Sequence, residues 1–163
     1  VKAIEGYRTT RNYKTALNLS IAGLKNECKA ELLKMYPIND HKRAVLYLQT
    51  LIFSYDLKNE KEIIALLAQY PNANTYKLLG DFYLLNNKLK AAENAYLMSI
   101  DMVPNRFVPR QSLMRLYISQ KKNTEAEVVA RNIVSLNIKV DSYQVKSIKL
   151  EATNFLNNQN RNL

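Results

Sequence analysis

Between residues 73 and 106, large and small side chains follow a spacing that leaves few folds open. Tyr76, Leu79, Gly80 and Tyr83 fall at i, i+3, i+4 and i+7, which is one face of an α-helix. Ala92 and Tyr96 repeat the device further on, a small residue followed at i+4 by an aromatic one, and Pro104 closes the segment. Gly80 and Ala92 have almost no side chain, so two antiparallel helices can approach closely where they face each other. The segment therefore reads as a helix pair whose packing depends on small residues.

The rest of the chain supports long helices. Three glycines and four prolines in 163 residues are too few for the many tight turns of a sandwich or barrel. With 47% hydrophobic residues the chain can bury one continuous core, and its length demands no second domain. A single cysteine, Cys28, excludes an internal disulfide, and with a single histidine, His41, it cannot complete a zinc site of nitrogen and sulfur ligands. Cys28 reads as a small buried apolar residue. No apolar run approaches the ~20 residues needed to cross a bilayer, and the opening "VKAIEGYRTT" lacks the apolar stretch of a signal peptide. A net charge of +10 is spread over every segment, the pattern of a solvated basic surface, and no nucleic-acid-binding module accompanies it.

The spacing of Tyr76, Leu79, Gly80, Tyr83, Ala92, Tyr96 and Pro104 resembles the tetratricopeptide repeat. Moving on by that family's period of ~34 residues carries Leu79 to Leu113, Tyr83 to Tyr117 and Ala92 to Ala126. Arg110, Met114 and Ile138 stand where the pattern has an aromatic residue, glycine and proline. Upstream, "NYKTALNLSIAGL" and "HKRAVLYLQTL" each read as the second helix of a degenerate repeat, with Ala16 and Ala44 in the role of Ala92. The interval from Ala44 to Gly80 is then too long for a regular array, and "EKEIIALLAQYP" within it reads as a further helix ended by Pro71. The resemblance implies an all-α fold, a right-handed α-solenoid of antiparallel helix pairs with about seven to nine helices. One domain is expected over 1–156: degenerate repeats in 1–72, the best-preserved repeat at 73–106, a weaker one at 107–140 and a capping helix at 143–156. "NIKVDS" has extended character before that helix, Asp141 or Ser142 is placed to cap it, and the polar tail 157–163 is expected to lack fixed structure.

Candidate chemistry is sparse. No nucleophile with an activating base, carboxylate pair or phosphate-cradling glycine loop is visible, so no catalytic residue, metal or cofactor is assigned. His41 reads as a surface histidine. Glu60 with Glu62 and Glu125 with Glu127 are two apart, do not share a helix face, and read as helix-start charges complementing the dipole. The tyrosines Tyr76, Tyr83, Tyr96 and Tyr117 have the spacing of repeat packing. In repeats of this type the first helix of each pair lines the concave face, which implies a partner surface of Asn74, Lys77, Asp81 and Leu84, then Val108, Gln111, Arg115 and Ile118. Asp81 stands where a domain that clamps a chaperone's terminal carboxylate has asparagine, and its charge disfavours that ligand. Arg106 and Arg110, at i and i+4, form a small basic edge suited to an anionic partner such as lipid phosphate or an acidic loop of the same parent protein.

The corner "DMVPNRFVP" carries a second resemblance. With Met102, Pro104, Asn105 and Arg106, then Ala126, Ala130 and Ile133, then Lys139, Val140 and Ser142, residues 72–156 resemble the C-terminal soluble region of O-antigen ligase or polymerase family membrane proteins of Bacteroidetes-type bacteria. Val103 replaces the isoleucine of that pattern. Start at Val1 without an initiator methionine agrees with a domain cut from its membrane part. The resemblance implies a non-catalytic periplasmic domain, attached to the inner membrane through upstream segments, that docks a protein or peptide partner in surface polysaccharide assembly. That partner is the parent's membrane portion or another glycan-assembly protein, with weak contact to anionic lipid or glycan. The alternative is a stand-alone adaptor for protein complexes, cytoplasmic in location. Sterics explain both prolines: Pro104 lies beyond a helix end and Pro109 is tolerated in the first turn of the next helix. Asn105 is placed to cap that helix and Phe107 to plug the joint between repeats. Arg106 is expected to be partly buried and to hold carbonyls or a carboxylate.

Overall fold

The computed structural model describes residues 2–35, 41–138 and 142–161, and within them the chain is all-helical. Its α-helices are α1 (Lys2–Ile21), α2 (Lys25–Leu33), α3 (His41–Phe53), α4 (Glu60–Gln69), α5 (Ala73–Leu85), α6 (Leu89–Met102), α7 (Phe107–Ser119), α8 (Asn123–Ser135) and α9 (Tyr143–Arg161), with a 3-10 turn at Leu57–Asn59 before α4. They fall into two compact units, one up to Asn87 and one from Lys88 onward, so the unit boundary lies inside the 73–106 segment.

In the first unit α1 packs on α2 and α3, and α3 packs on α4 and α5. The reason α3 is central is its face: Ala44, Tyr47, Leu48 and Leu51, at i, i+3, i+4 and i+7, are all buried. α5 follows Asn72, whose backbone is extended and whose side-chain Oδ1 accepts the Thr75 amide at 3.2 Å, a regular N-cap after Pro71. In the second unit α6 packs on α7, α7 on α8 and α9, and α8 on α9. Ser142 caps α9 by accepting the Val145 amide at 3.3 Å. Asp141, Lys139 and Val140 lie outside the described residues. α9 runs on to Arg161 rather than stopping at 156, since Asn157 to Arg161 include neither proline nor glycine to end it.

One local geometry recurs along the chain. Gly23, Tyr55, Asn87 and Lys121 have φ of 75°, 52°, 56° and 59°, each just beyond the end of a helix, and they stand 32, 32 and 34 residues apart. In three of the four turns the next residue also has the same backbone conformation: Leu24 (φ −83°, ψ 75°), Lys88 (−89°, 66°) and Lys122 (−85°, 70°). The amide of the left-handed residue donates to the carbonyl three back, Ser20, Leu84 and Ile118, at 3.0 Å in every case. The carbonyl of the following residue accepts the amide of Cys28, Ala92 or Ala126, again at 3.0 Å. The turn after Tyr55 departs, because Asp56 is extended and accepts the Lys58 amide at 3.0 Å, which inserts the 3-10 turn before α4.

This geometry corrects the reading of the N-terminal half. α1 and α3 precede the recurring turn, so "NYKTALNLSIAGL" and "HKRAVLYLQTL" hold the place of α5 and α7, not of a second helix. Ala16 lies seven residues before its left-handed residue, as Gly80 and Met114 do before theirs, and Cys28 takes the place of Ala92 and Ala126. The long interval from Ala44 to Gly80 then vanishes. A buried alanine suits either helix of a pair, so composition alone does not say which side of a turn it lies on. α2 was missed in the sequence, although the buried Cys28 and Leu32, with Met35 just beyond the helix end, fall at i, i+4 and i+7.

Candidate functional site

The signature tyrosines are mostly interior groups. Tyr83, Tyr96 and Tyr117 are buried and Tyr76 is half-buried; Leu79, Gly80 and Ala92 are buried, and Pro104 is exposed. Two of them hold a carboxylate from an earlier helix in their own unit. Tyr83 on α5 hydrogen-bonds Glu60 on α4, and Tyr117 on α7 donates to Glu93 on α6 at 3.2 Å. Burial, followed by the charge and hydrogen bond of the glutamate, pushes both phenols up to about 12. Burial also works against the charge of Glu93. The hydrogen bonds from Lys90 (3.0 Å) and Tyr117, with the nearby Lys90 and Lys122 charges, outweigh it and hold the carboxyl below its usual range. Glu60 and Glu93 were not legible as partners, because no spacing rule pairs residues 23 and 24 apart on different helices.

The residues expected to form a partner surface divide by their partners. On α5, Lys77 and Asp81 pair with each other at 2.6 Å, while Asn74 and Leu84 are exposed. On α7, Val108 is half-buried and Ile118 exposed, but Gln111 and Arg115 hold a group of the chain itself. Gln111 Nε2 donates to Glu151 Oε2 at 2.5 Å, and Arg115 donates through Nε and Nη2 at 2.6 and 2.7 Å, a two-point clamp on one carboxylate of α9. The Arg115 hydrogen bond keeps Glu151 below the usual carboxylate range, against the opposing effect of burial and with help from Gln111. α9 therefore does more than end the chain, since it engages the side of α7 set aside for a partner.

The corner between α6 and α7 keeps its steric logic. Val103, before Pro104, leaves the helical region at φ −139°, ψ 83°, and Pro109 sits in the first turn of α7. Asn105 is exposed and does not cap α7; the N-cap is Arg106, with no side-chain cap bond. Phe107 is buried, with Lys149 Nζ of α9 5.9 Å from its ring centroid. Arg106 is half-buried as expected, yet its guanidinium has no hydrogen-bond or ion-pair partner among the described residues. The expected hold on a carbonyl is made by Arg110 instead: its Nη1 donates to the Arg106 carbonyl at 3.0 Å. An arginine one turn into the helix points back along it and reaches the uncapped end. Burial lowers the Arg110 pKa, and only the field of Asp101 opposes this.

The remaining candidates are accounted for locally. His41 is exposed and meets Tyr70 edge-on at 6.3 Å. Glu60 and Glu62 begin α4 and Glu125 begins α8, as the dipole favours, but Glu62 also accepts the Tyr47 hydroxyl at 2.9 Å and Glu127 pairs with Arg131 one turn on. Cys28 is buried, and burial pushes its thiol up, away from the reactive thiolate. A cavity of about 420 Å³ in the first unit is lined by Cys28 and Leu32 of α2, Leu51 of α3, and Asp56, Asn59 and Glu62 at and before the start of α4. Among the described residues no cluster of His, Cys, Asp and Glu could hold a metal, and no helix is long and apolar enough to cross a membrane. Compared with protein-family models, curated proteins and solved structures, the chain matches none.

Proposed function

We propose that the chain is a non-catalytic interaction domain of tetratricopeptide type, its helices wound as antiparallel pairs into a right-handed solenoid. The observation that carries this reading is the recurring turn at Gly23, Tyr55, Asn87 and Lys121, whose spacing of 32 to 34 residues is that of helical repeat arrays. A chain built from one repeated helix–turn–helix unit presents extended surfaces rather than a concave catalytic pocket. Asn74, Leu84 and Ile118 are the exposed residues left for a partner on α5 and α7.

The "MVPNR" corner and the segments after it support a narrower reading. In it, the domain is the periplasmic C-terminal part of an O-antigen ligase or polymerase type membrane protein and positions the glycan machinery. The coding sequence upstream of Val1 tests the parent. Roughly ten apolar segments of ~20 residues each support it. A start codon or lipoprotein signal close upstream sinks it and leaves a stand-alone scaffold. In the producing cell, deletion of residues 73–161 from the parent is expected to shorten or abolish the surface polysaccharide ladder on a gel. An unchanged ladder would overturn the role in glycan assembly.

A further inference from the structure

We infer that the end of the second unit formed by the α6–α7 corner and the C-terminus of α8 is a docking surface for an anionic lipid bilayer. α7 and α8 pack on each other and are joined by a tight turn, so the start of α7 and the end of α8 share one end of the unit. Lys149 on α9 ties the two together: its Nζ donates to the Val134 carbonyl at 2.8 Å and lies 5.9 Å from the Phe107 ring centroid. Three cations thus converge here, Arg106, Arg110 and Lys149, with the exposed Asp101 near enough for its field to act on Arg110.

Two features distinguish this end from an ordinary basic surface. The first is uncompensated charge. The Arg106 guanidinium has no partner among the described residues, and Arg110 is half-buried with only a backbone carbonyl and the field of Asp101 to offset the loss of water. Lys34, Lys77, Lys90, Arg115 and Arg131, by contrast, each hold a carboxylate at 3.0 Å or less. The second is apolar surface beside that charge. Met102, Val103, Val134 and Ile138 are 39%, 40%, 39% and 42% exposed, and the first two immediately precede the corner. Cations to meet phosphates, with apolar side chains to enter the boundary between headgroups and acyl chains, are the two requirements of an interfacial membrane contact. An acidic protein would leave the exposed methionine and valines without a role. The inference is independent of the proposed parent, because a stand-alone scaffold could use the same surface.

Co-sedimentation of the whole chain with phosphatidylcholine vesicles containing 30 mol% phosphatidylglycerol is the test. Binding is expected at low salt, weakened severalfold at 0.5 M NaCl and absent on pure phosphatidylcholine. Arg106→Ala with Arg110→Ala is expected to bind about thirtyfold more weakly, from roughly 1 kcal/mol per basic residue at an anionic surface. Met102→Ser with Val103→Ser is expected to lose affinity severalfold while keeping its salt dependence. Circular dichroism checks that each variant is folded. If the double arginine variant is not, Arg106→Gln alone replaces it, with about a fivefold loss expected. Failure of the wild-type chain to sediment with the anionic vesicles overturns the inference, as does an unchanged affinity of the serine variant. Full competition by glycerol 3-phosphate or by polyglutamate also overturns it, in favour of a soluble anion or an acidic protein.

Discussion

The cavity lined by α2, α3 and α4 in the first unit contrasts with the closed joint between α6 and α7 in the second. The helices enter both through the same turn, and Cys28 and Ala92 hold equivalent places after it. In the second unit Glu93 reaches across from α6 to the Tyr117 hydroxyl of α7, and the joint is closed by a hydrogen-bonded carboxylate. The position matching Tyr117 in α3 is Leu51, which cannot hold a carboxylate, and there the cavity of about 420 Å³ opens with Leu51 and Cys28 in its wall. Repetition of a turn therefore does not guarantee repetition of the packing it starts; the side chains at the joint decide that.

The contrast can be broken most directly in the core. Met114, fully buried on α7, is expected to cost about 2–5 kcal/mol as Met114→Ala, read by urea denaturation. A matched pair sharpens it. Ala126→Val adds two methyl groups at a fully buried site and should cost about 1–3 kcal/mol, whereas Cys28→Val, beside the cavity, should stay within about 1 kcal/mol of wild type. Equal costs would mean that the cavity closes in solution.

Next comes the buried glutamate. Tyr117→Phe removes one donor from Glu93 and should destabilise by about 1–3 kcal/mol, the cost of an undersatisfied buried acceptor. The acid side of the stability curve reports the same group. Glu93 and Glu151 are held below their unfolded value, so their contribution is present above pH ~4.3 and fades as pH falls through the lower folded values. Glu93→Gln should flatten the fall in melting temperature below that pH. On the alkaline side the signs reverse. Tyr83 and Tyr117 ionise only near 12 in the folded state, so stability should fall between pH ~10, where the unfolded phenols ionise, and 12. Ultraviolet titration should show one fewer phenol ionising near pH 12 in each of Tyr83→Phe and Tyr117→Phe, and an unchanged titration in either would mean that its carboxylate contact does not form.

The smallest effect tests the recurring turn. A Cβ at Gly23 would meet nothing within 4 Å, so the cost of Gly23→Ala is that of the left-handed backbone alone, about 1 kcal/mol. Lys121→Gly, in the same conformation, should change stability by less than about 1 kcal/mol, relief of strain opposing the greater entropy of glycine. If both substitutions destabilise equally, the two turns do not share one geometry.

What the sequence determined by itself was the local part. Periodicity places Leu79, Gly80 and Tyr83 on one buried face of α5, and the prolines fix where α6 ends and α7 begins, because helix spacing and proline sterics act over a few residues. Arg106 was legible as half-buried but not in its role, since the sequence cannot say whether it or Arg110, one turn on, reaches the carbonyl. Only the tertiary structure decided that Glu60 meets Tyr83, that Glu93 meets Tyr117 and that Glu151 occupies Gln111 and Arg115. These partners lie 23 to 40 residues apart, with no spacing rule to pair them. Such pairs form because a buried carboxylate must find donors, and which donors are within reach depends on how the helices pack. The place of α1 and α3 was likewise not readable from the sequence: a buried alanine is compatible with a helix on either side of a turn, and only the backbone shows that both helices precede the left-handed residues Gly23 and Tyr55.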